Sequence, residues 1–312
     1  MANSIRIGAV LSTGGVRGVF AHTGFLQVLA SLEVELAAIG GCSAGSFVGG
    51  IYASGTPLQQ WVETLHGMRP EDFWQPGSWG DAIWGLLATR GHGFVGLSET
   101  AAAMSFCRRQ LAVERFEQCR IPFHALATSL TTGRKAFFSS GELAPRITAS
   151  SSIPLLYRPV EIEGEFYCDG GVIDLGPNDS ICCQHQLDVL LVHHVAARNR
   201  GFPAAQGTGS SSWPVVEILE TLLFRTRPWY LADEPITFRN CPCGCRALIV
   251  VLEPELPELP WPQTEHGVAI QALAMEQASE LLSPYITALL EDPGSLQHLV
   301  LPLGVRRMDS HR

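Results

Sequence analysis

Apolar positions in this chain fall into short uninterrupted runs, separated by glycine-rich turns and by segments with apolar residues three and four apart. Residues 5–11, Ile-Arg-Ile-Gly-Ala-Val-Leu, form such a run and predict a buried first strand. Thr13 to Gly18 reads as a glycine-rich turn, and the helix after it carries Phe20, Phe25, Leu26, Val28, Leu29 and Leu32. A second strand, Leu36 to Ile39, runs into Gly40-Gly41-Cys42-Ser43-Ala44-Gly45. A helix from Ser46 to Ala53 then stops at Ser54-Gly55. Strand, turn and helix, twice in succession, predict an α/β fold with a mostly parallel sheet and helices on both faces.

From Glu71 to Gly93 the pattern breaks, with Phe73, Trp74, Trp79 and Trp84 set among glycine and proline as an excursion from the sheet. Regular spacing returns with a helix over Ser98–Arg109, a strand over Phe123–Thr128 and a hairpin over Thr131–Phe138 turning at Thr132-Gly133. A helix over Arg146–Ser152 is cut by Pro154. The strand pair Val160–Ile162 and Glu165–Tyr167 leads into Cys168-Asp169-Gly170-Gly171. Val189–His193 and Ala247–Leu252 are strongly β-prone; between them lie a Gly/Ser loop, Gly207–Ser212, and a helix around Val215–Arg225. A late amphipathic helix covers 266–282. With no internal repeat and no clean linker, one domain over 1–312 is expected, its 195–312 part the least defined by pattern.

Charged residues make up only 16% of the chain, against a usual value of about 25%, which excludes a disordered polymer. The net charge is −9 and no basic run exists, so no nucleic-acid partner is expected. No run of apolar residues is long enough for a membrane-spanning helix, and the first residues lack a signal-peptide pattern. Nine scattered cysteines suggest free thiols in a reducing compartment. A cytoplasmic location is therefore expected, with peripheral membrane contact as a further option.

Gly41-Cys42-Ser43-Ala44-Gly45 matches G-x-S-x-G, the turn that projects a serine hydroxyl between strand and helix. Strand before and helix after supply the context that a five-residue pattern needs. The Thr13–Gly18 loop ends the neighbouring strand, so the amides of Gly14 and Gly15 can face Ser43 and hold an oxyanion. No phosphate-loop lysine follows, and dinucleotide spacing is absent. The base for Ser43 has two kinds of candidate. One is a histidine, His185, His193, His194 or His266, although only one strand precedes the elbow strand, unlike hydrolases with a late histidine. The other is Asp169, which opens a tight Asp-Gly-Gly turn after a strand.

Taken in order, these segments resemble the patatin-like phospholipases. The resemblance rests on Gly14-Gly15-Val16-Arg17-Gly18 and Gly41-Cys42-Ser43-Ala44-Gly45. It continues through Ala127-Thr128-Ser129-Leu130, Phe138-Ser139-Ser140-Gly141, Ala149–Pro154 and Asp169-Gly170-Gly171-Val172. It implies a three-layer α/β/α fold, lipid acyl hydrolysis and a Ser43–Asp169 dyad without histidine. It also implies an oxyanion loop at Gly14 and Gly15, supported by Arg17, Gly18, Gly41, Gly45, Gly170 and Gly171. Arg17 could neutralise a lipid phosphate or lock its loop by an internal ion pair; the structural role is favoured. Thr13 stands where the family usually has glycine, Cys42 where it has threonine, and Leu175-Gly176-Pro177 lacks the asparagine two residues before the proline. The expected substrate is a lipid or small ester. Acyl transfer by the same dyad, or an inactive lipid- or protein-binding relative, is the alternative. The Trp-rich segment is expected to lid the site and touch a lipid surface. Cys241, Cys243 and Cys245 are too tightly spaced for a common zinc finger, and Cys182-Cys183 lie elsewhere in the chain. These thiols are read as structural or redox-exposed, with no metal or cofactor.

Overall fold

The computed structural model describes residues 5–77, 96–177, 181–195, 228–232 and 234–302. Five strands run parallel through the centre of a nine-stranded sheet: β1 (Ile7–Leu11), β2 (Leu36–Cys42), β4 (Phe123–Ser129), β9 (Val189–His193) and β11 (Leu248–Leu252). Antiparallel strands complete both ends. β10 (Ile236–Asn240) pairs with β11, while β5 (Lys135–Phe138) and β8 (Glu165–Asp169) pair with β4, and β7 (Val160–Ile162) pairs with β8. A separate two-stranded sheet joins β3 (Gly96–Ser98) to β6 (Leu155–Tyr157).

The unbroken apolar runs have a direct cause: the central strands are buried on both faces. In β9, Val189 and Leu191 join one core while Leu190 and Val192 join another; in β11, Leu248, Val250 and Leu252 alternate with Ile249 and Val251 in the same way. The larger core lies under α1 (Gly15–Ser31) and α7 (Gly267–Leu282), where Phe20, Phe25, Leu26 and Leu29 meet Ile270, Ala274 and Ala278. At about 1.5–3 kcal/mol for each large side chain buried, that contact is a main source of stability. The other face is covered, among the described residues, by Ile181, Cys182, Leu187 and Tyr230.

Several boundaries differ from the sequence expectation. Helix α1 starts at Gly15, inside the expected turn, so only Ser12 to Gly14 connect it to β1. β2 continues through Gly40 and Gly41 to Cys42, because both glycines pair with β1, opposite Val10 and Leu11. The first arm of the expected 131–138 hairpin is β4 itself, and the turn between the arms contains Gly133 at a φ of 67°. Expected helices at Ser98–Arg109 and Arg146–Ser152 are α5 (Ala101–Gln110) and α6 (Leu143–Ser150). β10, α3 (Leu58–His66) and α8 (Ile286–Glu291) are additions, as is the short α4 (Pro70–Phe73). Trp79, Trp84, the 207–212 loop and the 215–225 helix lie outside the described residues. Among the described residues, no helix is long and apolar enough to cross a membrane.

Candidate active site

β4 brings the two ends of the site together. Its first half pairs with β2, ending at Cys42 opposite Leu126; its second half pairs with β8, with Asp169 opposite Ala127. β5 runs along the other edge of β4 across both halves, from Ala125 to Thr128, so β2 and β8 must share one edge and meet end to end. Ser43 follows the last residue of β2, and Asp169 is the last residue of β8. Adjacent positions on β4 thus fix the two side chains against each other.

Ser43 sits at the start of α2 (Ala44–Ser54) with φ 54° and ψ −119°, a backbone conformation that costs a non-glycine residue about 1–3 kcal/mol. Its neighbours make the turn possible. A Cβ on Gly41 would lie 2.5 Å from the Gly45 carbonyl, and one on Gly45 would collide with the carbonyl of Leu11. The strained turn is held from outside by α6. Ser150 Oγ accepts the Ser43 N–H at 3.1 Å and touches Ser46 Oγ at 2.7 Å, while Ser151 Oγ donates to the Ser43 carbonyl at 3.0 Å. Ser43 itself is 3% exposed.

Asp169 is fully buried. Its Oδ1 accepts the Gly171 N–H at 2.7 Å, while Oδ2 has no hydrogen-bond partner among the described residues. Burial pushes the carboxyl up from 3.8 to about 7, against smaller downward effects of the Ser43 hydroxyl and the Gly171 amide. The hydroxyl is therefore near enough to favour the charged form without closing a hydrogen bond to Oδ2. Such contacts commonly tighten only when substrate is bound.

The amides around Ser43 divide into used and unused. Ser43 N–H goes to Ser150, and Gly45 N–H to the Ser12 carbonyl at 3.1 Å. Among the described residues, the N–H groups of Gly14, Gly15 and Ala44 take no acceptor, as expected at the first turns of α1 and α2. Gly15, Ala44 and Ser43 line the same pocket, whereas Gly14 stands one residue behind it, so the positive ends of two helices lie beside Ser43. Ala44 is a donor that the sequence reading passed over. Gly18 lets α1 and α2 approach, since its Cβ would come within 2.9 Å of Ala44 Cβ, and Gly170 passes against the Leu126 carbonyl. Arg17 is 11% exposed and turned away to structural partners, donating to the Val195 carbonyl at 3.0 Å and pairing with Glu258 at 3.3 Å.

The loop after Asp169 is fixed without the missing asparagine. Lys135 Nζ pairs with Asp174 Oδ2 at 2.6 Å, Gly176 N–H donates to Asp174 Oδ1, Thr13 N–H donates to the Leu175 carbonyl at 2.9 Å, and Cys42 Sγ reaches the Asp174 carbonyl. The residues that depart from the family pattern, Thr13 and Cys42, thus both touch this loop.

None of the candidate histidines lines the Ser43 pocket. His193 Nδ1 lies 2.8 Å from Nδ1 of His22, His185 Nε2 lies 2.7 Å from Nε2 of His124, and His194 Nδ1 lies 3.2 Å from the Tyr230 hydroxyl. His266 begins α7. Burial holds His22 down at about 4 and His193 well below its usual value.

The pocket beside Ser43 has a cavity volume of about 80 Å³. Its wall is apolar, with Phe47, Met68, Phe73, Phe106 and Trp261 around Ser43. Trp74 packs edge-on against Tyr157 and Trp261, with ring centroids 5.2 and 5.7 Å apart. It belongs to the packed rim of this pocket, whereas Trp79 of the expected lid lies outside the described residues.

Residues 9–178 match the family model described as patatin-like phospholipase, more than half the chain. The chain belongs to the patatin-like phospholipase family. Among its relatives, "Lysophospholipase NTE1" of Cryptococcus neoformans is 31% identical over 208 residues, covering 67% of this chain and 12% of that protein. An uncharacterized NTE family protein of Mycobacterium bovis is 30% identical over 175 residues, covering 55% of this chain and 44% of its own. This patatin-like chain therefore spans less than half the length of these relatives. Human GIVD cytosolic phospholipase A2 shares the fold, with a TM-score of 0.54 at 10% identity over 95% of this chain and 63% of that one.

Proposed function

We propose that this patatin-like protein is a serine acyl hydrolase that cleaves carboxylic esters of lipids through Ser43 and Asp169. The observation that carries the proposal is the end-to-end meeting of β2 and β8 on one edge of β4, which sets a buried carboxylate beside a strained serine. A carboxyl titrating at about 7 is half ionised at neutral pH and far more basic than an exposed aspartate. Ser43 Oγ attacks the ester carbonyl as Asp169 takes its proton. The N–H groups of Gly14, Gly15 and Ala44 stabilise the oxyanion. The protonated Asp169 then gives its proton to the leaving alcohol, and the acyl group remains on Ser43. Water, deprotonated by Asp169, attacks the acyl-enzyme; the acyl–Oγ bond breaks, Ser43 Oγ takes the proton back from Asp169, and the carboxylic acid is released.

The apolar wall of Phe47, Met68, Phe73 and Phe106 suits an acyl chain, and the absence of charged side chains among the described residues that line it favours binding by the chain rather than by a head group. Arg17 is committed to Val195 and Glu258, which argues against a phosphate-binding role. The test is turnover of a panel of p-nitrophenyl esters and lysophospholipids, with and without glycerol as acceptor. Release of free acid that Ser43→Ala abolishes supports hydrolysis. Product found only as acyl-glycerol would make the protein a transferase, and no turnover of any ester would leave a lipid-binding relative.

A further inference from the structure

Outside the active site, among the described residues, thiol side chains from separate parts of the chain gather in one cluster. Cys182 and Cys183 precede β9, and Cys241, Cys243 and Cys245 occupy the turn between β10 and β11. The fold sets these segments side by side, although nearly sixty residues separate them along the chain. The thiol sulfurs of Cys182, Cys183, Cys243 and Cys245 all lie within 4.8 Å of one another.

We propose that Cys182, Cys183, Cys243 and Cys245 form a structural zinc site. Zinc binds thiolate sulfur at about 2.3 Å in a tetrahedron, which requires sulfurs about 3.8 Å apart. Cys182 Sγ is 3.8 Å from Cys183 Sγ and 3.8 Å from Cys243 Sγ. The four therefore approach the spacing a single ion imposes. Each segment alone lacks the familiar spacing of two to four residues between ligands, which is why the sequence reading expected no metal. Two short pairs, C-C and C-x-C, complete the set across the sheet edge.

Cys241 is the thiol left over. Its Sγ is 3.1 Å from Cys182 and 2.9 Å from Cys243, too close to both to hold a separate corner of the same tetrahedron. It is buried beneath the cluster, whereas Cys183 and Cys243 are exposed and accessible to an incoming ion. On binding, the four thiols release their protons and form four metal–sulfur bonds; no oxidation state changes.

The position argues for a structural rather than a catalytic ion. Four sulfur ligands leave no open coordination position for substrate or water. Val189 of β9 pairs with Leu248 of β11, so the cluster sits where these parallel strands begin, whereas Ser43 follows the end of β2. The turn at 241–245 contains Pro242 and Gly244 and exposes Cys243, while Cys241 and Cys245 pack on the apolar core. A zinc ion there would tie the β10–β11 turn to the segment entering β9.

The experiment is metal analysis of the full chain purified under reducing conditions without chelator, followed by cobalt(II) substitution. The expected result is about one zinc per chain, and after exchange the intense thiolate-to-cobalt charge transfer and visible bands of tetrahedral sulfur ligation. Cys243→Ser and Cys245→Ser should each retain less than about a tenth of the metal, while Cys241→Ser and the distant Cys119→Ser retain it. Reduced wild-type protein that neither contains zinc nor gives the cobalt charge-transfer band overturns the proposal without any variant. Loss of metal from Cys241→Ser with retention in Cys245→Ser overturns the ligand set. A cluster recovered as disulfides that does not take up metal after reduction overturns it as well.

Discussion

Replacing Asp169 by asparagine should make the protein more stable at alkaline pH, and the gain should disappear in acid. In the folded protein the carboxyl titrates at about 7 instead of 3.8 because burial penalises its charge. The folded-state value is raised, so the contribution of this group to stability is fully present below 3.8 and is lost as pH rises to about 7. At about 1.4 kcal/mol per pH unit, holding the ionised carboxylate in the folded site above pH 7 costs about 4 kcal/mol. Asparagine carries no such cost. It keeps an oxygen for the Gly171 N–H, but its amide nitrogen replaces an Oδ2 that has no hydrogen-bond partner among the described residues, a constant penalty of about 1–3 kcal/mol. Urea denaturation of wild type and Asp169→Asn from pH 4 to pH 9 separates the two terms, since the constant penalty cancels between pH values. The stability difference should move in favour of the variant by about 4 kcal/mol across this range and level off above pH 7. A difference that stays flat, or one that moves the other way, would refute the claim that burial raises this carboxyl.

The same titration should appear in catalysis. The kcat/KM for a soluble ester should rise about tenfold per pH unit below a midpoint near 7 and then level; a profile flat down to pH 5 would exclude a base of this kind. Gly45→Ala drives a methyl group into the Leu11 carbonyl and should lower the melting temperature sharply or prevent folding, as a thermal melt will read. Lys135→Met removes the 2.6 Å ion pair to Asp174 that holds the loop after Asp169, and should reduce kcat several-fold while leaving KM nearly unchanged. Ala103→Leu intrudes on the pocket and should shift the ester preference toward shorter acyl chains, measured as the ratio of kcat/KM for long and short esters.

Elements near the site were legible because local pattern and tertiary role agree there. Residues 36–54 carry an apolar run, the turn glycines Gly41 and Gly45 and a helix stop, and the structure uses all three in β2, the Ser43 turn and α2. Val189–His193 coincides with β9 because a strand buried on both faces reads as an unbroken apolar run, here Val189 to Val192, closed by the buried His193. β10 was not legible: Ile236-Thr237-Phe238-Arg239-Asn240 places a buried arginine in the strand, held by the carbonyls of Tyr230, Leu231 and Pro302. No local rule anticipates that solution. The pocket wall was missed for a related reason. Trp261 sits in a proline-rich stretch far from Ser43 in sequence, and only the fold brings it to Phe73 and Tyr157. The convergence of Cys182-Cys183 on the 241–245 turn depends on the parallel pairing of β9 with β11, a long-range fact that spacing cannot carry.

The central claim is that Ser43 is the nucleophile and Asp169 its base. It is tested most directly by reaction with an alkyl fluorophosphonate, followed by peptide mass analysis of wild type, Ser43→Ala and a folded Asp169→Asn. The account predicts a single adduct on Ser43 in wild type, none in Ser43→Ala, and labelling slowed by at least about a thousandfold in Asp169→Asn. An adduct on a different residue, or Asp169→Asn protein labelled at the wild-type rate, would contradict it.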